Sequence, residues 1–205
     1  MKKYELTDET LKIGPITLHR VKSLVAFTGV EVGETGGWVE KEANLDQNGD
    51  AWVSGNAKVS GNAWVYGDAW VSGNAKVSGN AWVSGDAWVS GNARVYGNAK
   101  VSGNARVYGD AWVYDNTHYM AIAPIGSRDD SITFTRDKKG GMFATVGCFF
   151  GTLAEFRAKV GKTHGENAHA QAYLLAAQLA ELRIDTTPIE DGPDDPVEVT
   201  TDGKA

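Results

Sequence analysis

The sequence predicts an all-β solenoid, a parallel coil with three short strands per turn, followed by a small α+β domain. Three observations predict it. Residues 51–116 form eleven consecutive hexads of the pattern Ala-x-Val-x-Gly-Asn/Asp, beginning AWVSGN, AKVSGN, AWVYGD, and only Asp115 departs from the glycine. Within a hexad, Ala and Val alternate with polar or bulky residues, so a strand sends Ala51 and Val53 to one side and Trp52 and Ser54 to the other. Gly followed by Asn or Asp then turns the chain, because both tolerate the backbone angles of a corner. One hexad cannot bury its own Ala and Val. Three arranged as a triangle can, and triangles stacked about 4.8 Å apart make a continuous core.

In chain order, residues 1–35 read as capping strands, from the runs ITLHRV and LVAF. A solenoid needs such a cap to avoid end-to-end growth. Residues 36–116 are the solenoid, which opens on a degenerate coil, GGWVEKEANLDQNGD, where Trp38-Val39 echoes the repeat. The count gives about five coils, roughly 24 Å of stack. Residues 117–185 form the α+β domain, with a three-stranded meander over Tyr119–Ile125, Ser131–Asp137 and Met142–Phe149 and then a helical hairpin. The first helix opens on the capping box Thr152-Leu-Ala-Glu155 and carries Leu153, Phe156 and Val160 as its apolar stripe. Asn167 caps the second, whose Ala172, Leu175, Ala176, Leu179 and Leu182 are expected to face the core. Residues 186–205 hold six acids against one lysine, with three prolines and no aromatic residue, and read as a disordered acidic tail.

The net charge of −6 is therefore mostly the tail's, which supplies −5 and leaves −1 for residues 1–185. A nearly neutral body excludes an acidic nucleic-acid mimic and a general nucleic-acid binder alike. No run approaches the roughly 18–20 apolar residues that cross a membrane. The two early lysines have no apolar run behind them, and the one cysteine, Cys148, cannot form an internal disulfide. These features point to the cytoplasm.

With three hexads per coil, residues 18 apart share a face. One face carries Trp52, Trp70, Trp88 and Arg106; the next Lys58, Lys76, Arg94 and Trp112; the third Trp64, Trp82 and Lys100. Five rings, of Trp52, Trp64, Trp70, Trp82 and Trp88, would present roughly 750–1,250 Å², more than the few hundred Å² a monomer usually exposes. Two adhesive faces and one wet face are what a threefold assembly of parallel prisms requires, so a homotrimer is expected, with Lys58, Lys76 and Arg94 facing solvent. Each coil offers at most a lone corner acid, such as Asp68 or Asp86, so no metal is expected.

The hexads resemble the left-handed β-helix of hexapeptide-repeat proteins, and the left hand is implied by that resemblance. So is acyl transfer, the best-known activity on that fold. The enzymes of that class carry a histidine base within the coils and extruded loops, whereas residues 51–116 contain neither, and His118 lies just beyond.

Beyond the repeats, candidate ligand-binding residues are Ser127 and Arg128 in the GSRDD turn, Thr135 and Arg136 on the second strand, Cys148 at the end of the third, and His164 in the KTHG turn. Arg128 and Arg136 could clamp phosphates bidentately or pair with Asp129, Asp130 or Asp137. Cys148 and His164 read either as a thiol dyad or as a buried small thiol and a histidine at a helix C-terminus. The order RVKSLVAF, GGWVEKEANL, hexads, IGSR, GCFFGTLAEF, THG, spanning residues 4–184, resembles a family of phage and prophage proteins. The resemblance implies a mobile-element accessory protein. The expected function is thus a non-enzymatic trimeric binding module that sequesters a small anionic, nucleotide-like ligand in counter-defence, without a cofactor. A protein-binding inhibitor or structural scaffold is the alternative, and a hexapeptide-repeat acyltransferase the second.

Overall fold

A computed structural model of the chain describes residues 1–188. The tail expected over 186–205 lies, from residue 189 on, outside the described residues. At the N-terminus β1 (Tyr4–Ile13) and β2 (Ile16–Ser23) form an antiparallel hairpin, and β3 (Thr35–Val39) pairs antiparallel with β2. The LVAF run is not a strand. It enters a loop in which Phe27 bridges Val30 and lays its ring edge-on to Trp52 at 5.4 Å. The first strand instead comes from YELTDETLKI, whose charges conceal it.

Eleven two-residue strands follow, β4 to β14: Trp52–Val53, Lys58–Val59, Trp64–Val65, Trp70–Val71, Lys76–Val77, Trp82–Val83, Trp88–Val89, Arg94–Val95, Lys100–Val101, Arg106–Val107 and Trp112–Val113. They stack in parallel at offsets of eighteen residues, for example Trp52 on Trp70 and Lys58 on Lys76. One face stacks β3, β5, β8, β11 and β14, the second β4, β7, β10 and β13, the third β6, β9 and β12. The expected five coils exist only on the face that β3 extends, and the solenoid makes about four turns. Every hexad Ala and Val is at most 1% exposed. The corner glycines hold φ between +63° and +74°, the left-handed region that a Cβ disfavours. At two of the three corners the residue after the glycine builds a polar ladder: Asn56 to Asn74 to Asn92 to Asp110 along one, Asn62 to Asn80 to Asn98 along the other, with links of 3.1–3.4 Å. The Asn side chains thus bond to one another along the stack.

The N-terminal hairpin closes the first turn. The Lys3 ammonium donates to the carbonyls of Ala51 (2.8 Å) and Gly49 (3.2 Å), and the Tyr4 hydroxyl donates to that of Leu45 (2.6 Å). Burial pushes the Lys3 pKa down and the Tyr4 pKa up.

The C-terminal meander has four strands, not three: β15 (Tyr119–Ile125), β16 (Asp130–Arg136), β17 (Met142–Val146) and β18 (Phe149–Thr152). Gly147 at φ +53° breaks the expected third strand in two. β16 lies across the open end of the solenoid. The Arg106 N–H donates to Thr133 Oγ1 (2.9 Å), the Ser131 hydroxyl donates to the Asn104 carbonyl (3.0 Å), and Asp137 bridges Ala111. Alternation then turns Ile132 and Phe134 toward the helices.

Helix α1 (Leu153–His164) begins at the Thr152/Glu155 capping box and buries Leu153, Phe156 and Val160, as expected. Helix α2 (Ala168–Arg183) begins at Asn167, whose side chain accepts from the Ala170 N–H at 3.0 Å. Of the five residues expected to face the core only Ala176 is buried. Ala170, Tyr173, Ala176, Ala177 and Ala180 point inward, while Leu175, Leu179 and Leu182 are 64%, 50% and 87% exposed. The interior is already filled by Phe134, Phe156 and Tyr173, in edge-to-face contact at 5.8 Å, so α2 can approach only through small side chains. A two-pronged ion pair from Arg157 to Glu181, at 2.7 and 2.9 Å, fixes that rotation.

Candidate functional site

Four of the six candidate residues come together. Ser127, Arg128, Cys148 and His164 line one cleft of about 190 Å³ between the short turn Gly126–Arg128, the β17–β18 turn and the two helices. The turn depends on Gly126, which has φ +77° and lies so close to Tyr173 that a Cβ there would strike its hydroxyl. Asp129, at φ +49°, reverses the chain into β16. Cys148 sits in the two-residue turn after Val146 and is exposed, not the buried thiol that sequence allowed. His164 is the last residue of α1, with its ring 5.7 Å from Tyr173 and 6.0 Å from His169.

Sequence reasoning missed three members of the cleft. Lys159 and Thr163 stand one turn apart on α1, beside the Phe156/Val160 stripe, and Tyr173 comes from α2. The helical period of α1 carried the signal for the first two, because a residue adjacent to the buried stripe borders whatever the helix packs against. Burial raises the Tyr173 pKa, the nearby Asp130 adds to the rise and Arg128 opposes it, so the phenol stays a proton donor. The cleft therefore gathers an Arg, a Lys and a His with three hydroxyls, set against the single carboxylate of Asp130 and a wall formed by Phe149, Phe156 and Val160. Among the described residues no hydrogen bond joins Cys148 to His164.

Thr135 and Arg136 are not part of the cleft. Both are fully enclosed where β16 covers the solenoid. Arg136 plugs that end, Nε donating to the Asp137 carbonyl (3.0 Å) and Nη1 to that of Asp185 (3.1 Å). Among the described residues its Nη2, the Tyr96 hydroxyl and the Thr135 hydroxyl meet no partner. Beside them His118 accepts the Tyr114 N–H on Nδ1 (3.1 Å), and burial, reinforced by Arg136, pushes its pKa down. Arg136 looked like a surface clamp in sequence because nothing there reveals that its strand is a lid.

The tryptophan faces are assembled in the expected columns, with one correction. Trp52 is fully enclosed by its own N-terminal loop and cannot reach a neighbouring chain. Trp64, Trp82 and Trp88 are 37–43% exposed, and Trp70 is half-buried. The rings meet edge-on, Trp64 to Trp82 at 6.2 Å, and Tyr66 stacks on Trp64 at 4.1 Å. Lys58, Lys76 and Arg94 are half-buried along a groove with the Asn56–Asn74–Asn92 ladder, and Arg94 lies 4.7 Å over the Trp112 ring. Among the described residues no His, Cys, Asp and Glu side chains group to hold a metal, and no helix is long and apolar enough to cross a membrane.

A family model described as the YdcK beta solenoid repeat matches residues 57–73, 75–91, 87–101 and 99–115. The chain thus carries β-solenoid repeats similar to those of that family. The matches end at residue 115, before the strands and helices that build the cleft. No curated protein matches the chain.

Proposed function

We propose that the chain is a non-enzymatic binding module of the phage accessory type, acting in the cytoplasm of a bacterial host to sequester a small anionic, nucleotide-like ligand. The cleft holds the ligand, and a homotrimer built on the tryptophan-bearing faces presents three such clefts. The observation that carries this reading is the convergence of Arg128, Lys159 and His164 with the hydroxyls of Ser127, Thr163 and Tyr173. Arg supplies a planar fork for phosphate oxygens and Lys a point charge, which together outweigh Asp130. The cleft is smaller than the roughly 300–1,000 Å³ typical of pockets that engulf a drug-sized ligand, which suits the phosphate-bearing end of a nucleotide with the remainder outside. The resemblance of the segment order to phage and prophage proteins is what motivates the counter-defence setting.

Native mass spectrometry of protein purified gently from bacterial cells tests both parts of the reading. The expected spectrum is a trimer with up to three adducts of nucleotide mass, lost in Arg128→Ala and Lys159→Ala chains that remain trimeric. An adduct retained by both variants would remove the ligand from this cleft.

A further inference from the structure

The outward leucines of α2 belong to a longer pattern. Ala168, Ala172, Leu175, Leu179 and Leu182 follow one another at spacings of four, three, four and three, the a/d rhythm of a coiled-coil seam. None of the five is buried, and Leu182, at 87%, is among the most exposed apolar residues of the molecule. The helix is thus apolar on two faces, one covered by its own domain and one uncovered, whereas a helix that is apolar all round is ordinarily enclosed.

We propose that this seam packs against α2 of other copies of the chain, so that the C-terminal domains join the trimer as well as the solenoids. The inference rests on the trimeric reading above and deepens it. Area is the first argument. With Trp52 enclosed, the three most exposed tryptophans of the solenoid offer only about 60–110 Å² each, taking 37–43% of a ring's roughly 150–250 Å². Together they give about 180–300 Å², a minority of the roughly 800 Å² per partner of a stable interface, and three leucines at least half exposed supply apolar surface that the solenoid faces lack.

Charge is the second argument. The positions that flank a coiled-coil seam set partner choice through their charges, and here Gln171 and Gln178 are neutral. Arg183 is turned toward the Asn116 carbonyl at 3.4 Å, while Glu181 is engaged by Arg157. Apart from His169 and Arg183 the seam and its flanks are neutral, so copies of α2 meet across it with little charge repulsion. Continuity is the third. The Asn116 corner that receives Arg183 also accepts the Lys100 N–H (2.8 Å), and Lys100 lies 4.7 Å over Trp82 on a tryptophan-bearing face.

The test compares the parent chain with Leu179→Lys/Leu182→Lys and with Trp82→Lys/Trp88→Lys by sedimentation velocity, with circular dichroism to monitor folding. The expected result is a trimeric parent and a folded, monomeric Leu179→Lys/Leu182→Lys chain. A trimer that survives both lysines overturns the seam while leaving the solenoid interface standing. A monomeric parent overturns seam and trimer together and leaves the leucines to a partner of another kind. Should the lysine pair fail to fold, Leu182→Cys in a Cys148→Ser background reads the same contact. Oxidation gives covalent dimers if the seams meet, and monomers alone sink the proposal.

Discussion

In the solenoid every hexad encloses its alanine and valine and turns the larger residue between them outward; in α2 four alanines are enclosed and three leucines point out. The two regions obey one constraint reached from opposite directions. Backbone hydrogen bonds fix the rungs about 4.8 Å apart, and along the hexads the triangular bore is filled by Ala and Val alone. In the C-terminal domain the aromatic rings of Phe134, Phe156 and Tyr173 take the volume first, and the helix must come close to cover them. Interior space, more than hydrophobicity, decides which side chain goes in.

The residue that joins the two regions gives the sharpest way to break this comparison. Arg136→Ala takes the donor from the Asp185 carbonyl, leaves the Asp137 carbonyl with the Gly140 N–H alone and opens a hole under β16, for an expected loss of about 3–4 kcal/mol. Urea denaturation measures it, and a loss below about 1 kcal/mol would mean that the plug is dispensable. Next in size, Val77→Ala removes two enclosed methyl groups in mid-solenoid and is expected to cost about 2 kcal/mol, whereas Leu182→Ala changes the monomer by no more than about 0.5 kcal/mol. Equal effects at these sites would erase the distinction between a filled bore and an uncovered face.

The smallest expected effect is a pH dependence at the junction. His118 has a folded-state pKa below its ordinary 6.5 because it is buried beside Arg136. The unfolded chain therefore binds the proton more readily, so its contribution is present above pH 6.5 and is lost as pH falls from there through the lowered folded value. Thermal melts between pH 7.5 and 5 should show a falling midpoint that His118→Gln flattens.

The columns of the three faces were legible in sequence because an eighteen-residue period admits one register, and the Lys58, Lys76, Arg94 alignment followed from counting. Trp52 was misread because its cover, Phe27, comes from a loop with no period of its own. Four members of the cleft were visible as chemistry, although Thr135 and Arg136 have chemistry of the same kind and lie elsewhere. What separates them is that β16 roofs the solenoid, a tertiary fact with no local signature. For α2, the 3.6-residue period gave the helix but not which of its two apolar faces would win.

The corner ladders also make the solenoid a measuring device. Removing eighteen contiguous residues, such as 75–92, rejoins Asn74 to Ala93 and preserves every column, so the C-terminal domain descends by about 4.8 Å and keeps its heading. Removing one hexad instead swings that domain by about 120° and slides cationic rungs onto tryptophan ones. Height and bearing are thus written in separate digits of the repeat number, so chains that differ by multiples of three hexads would aim their clefts alike, and other chains would not.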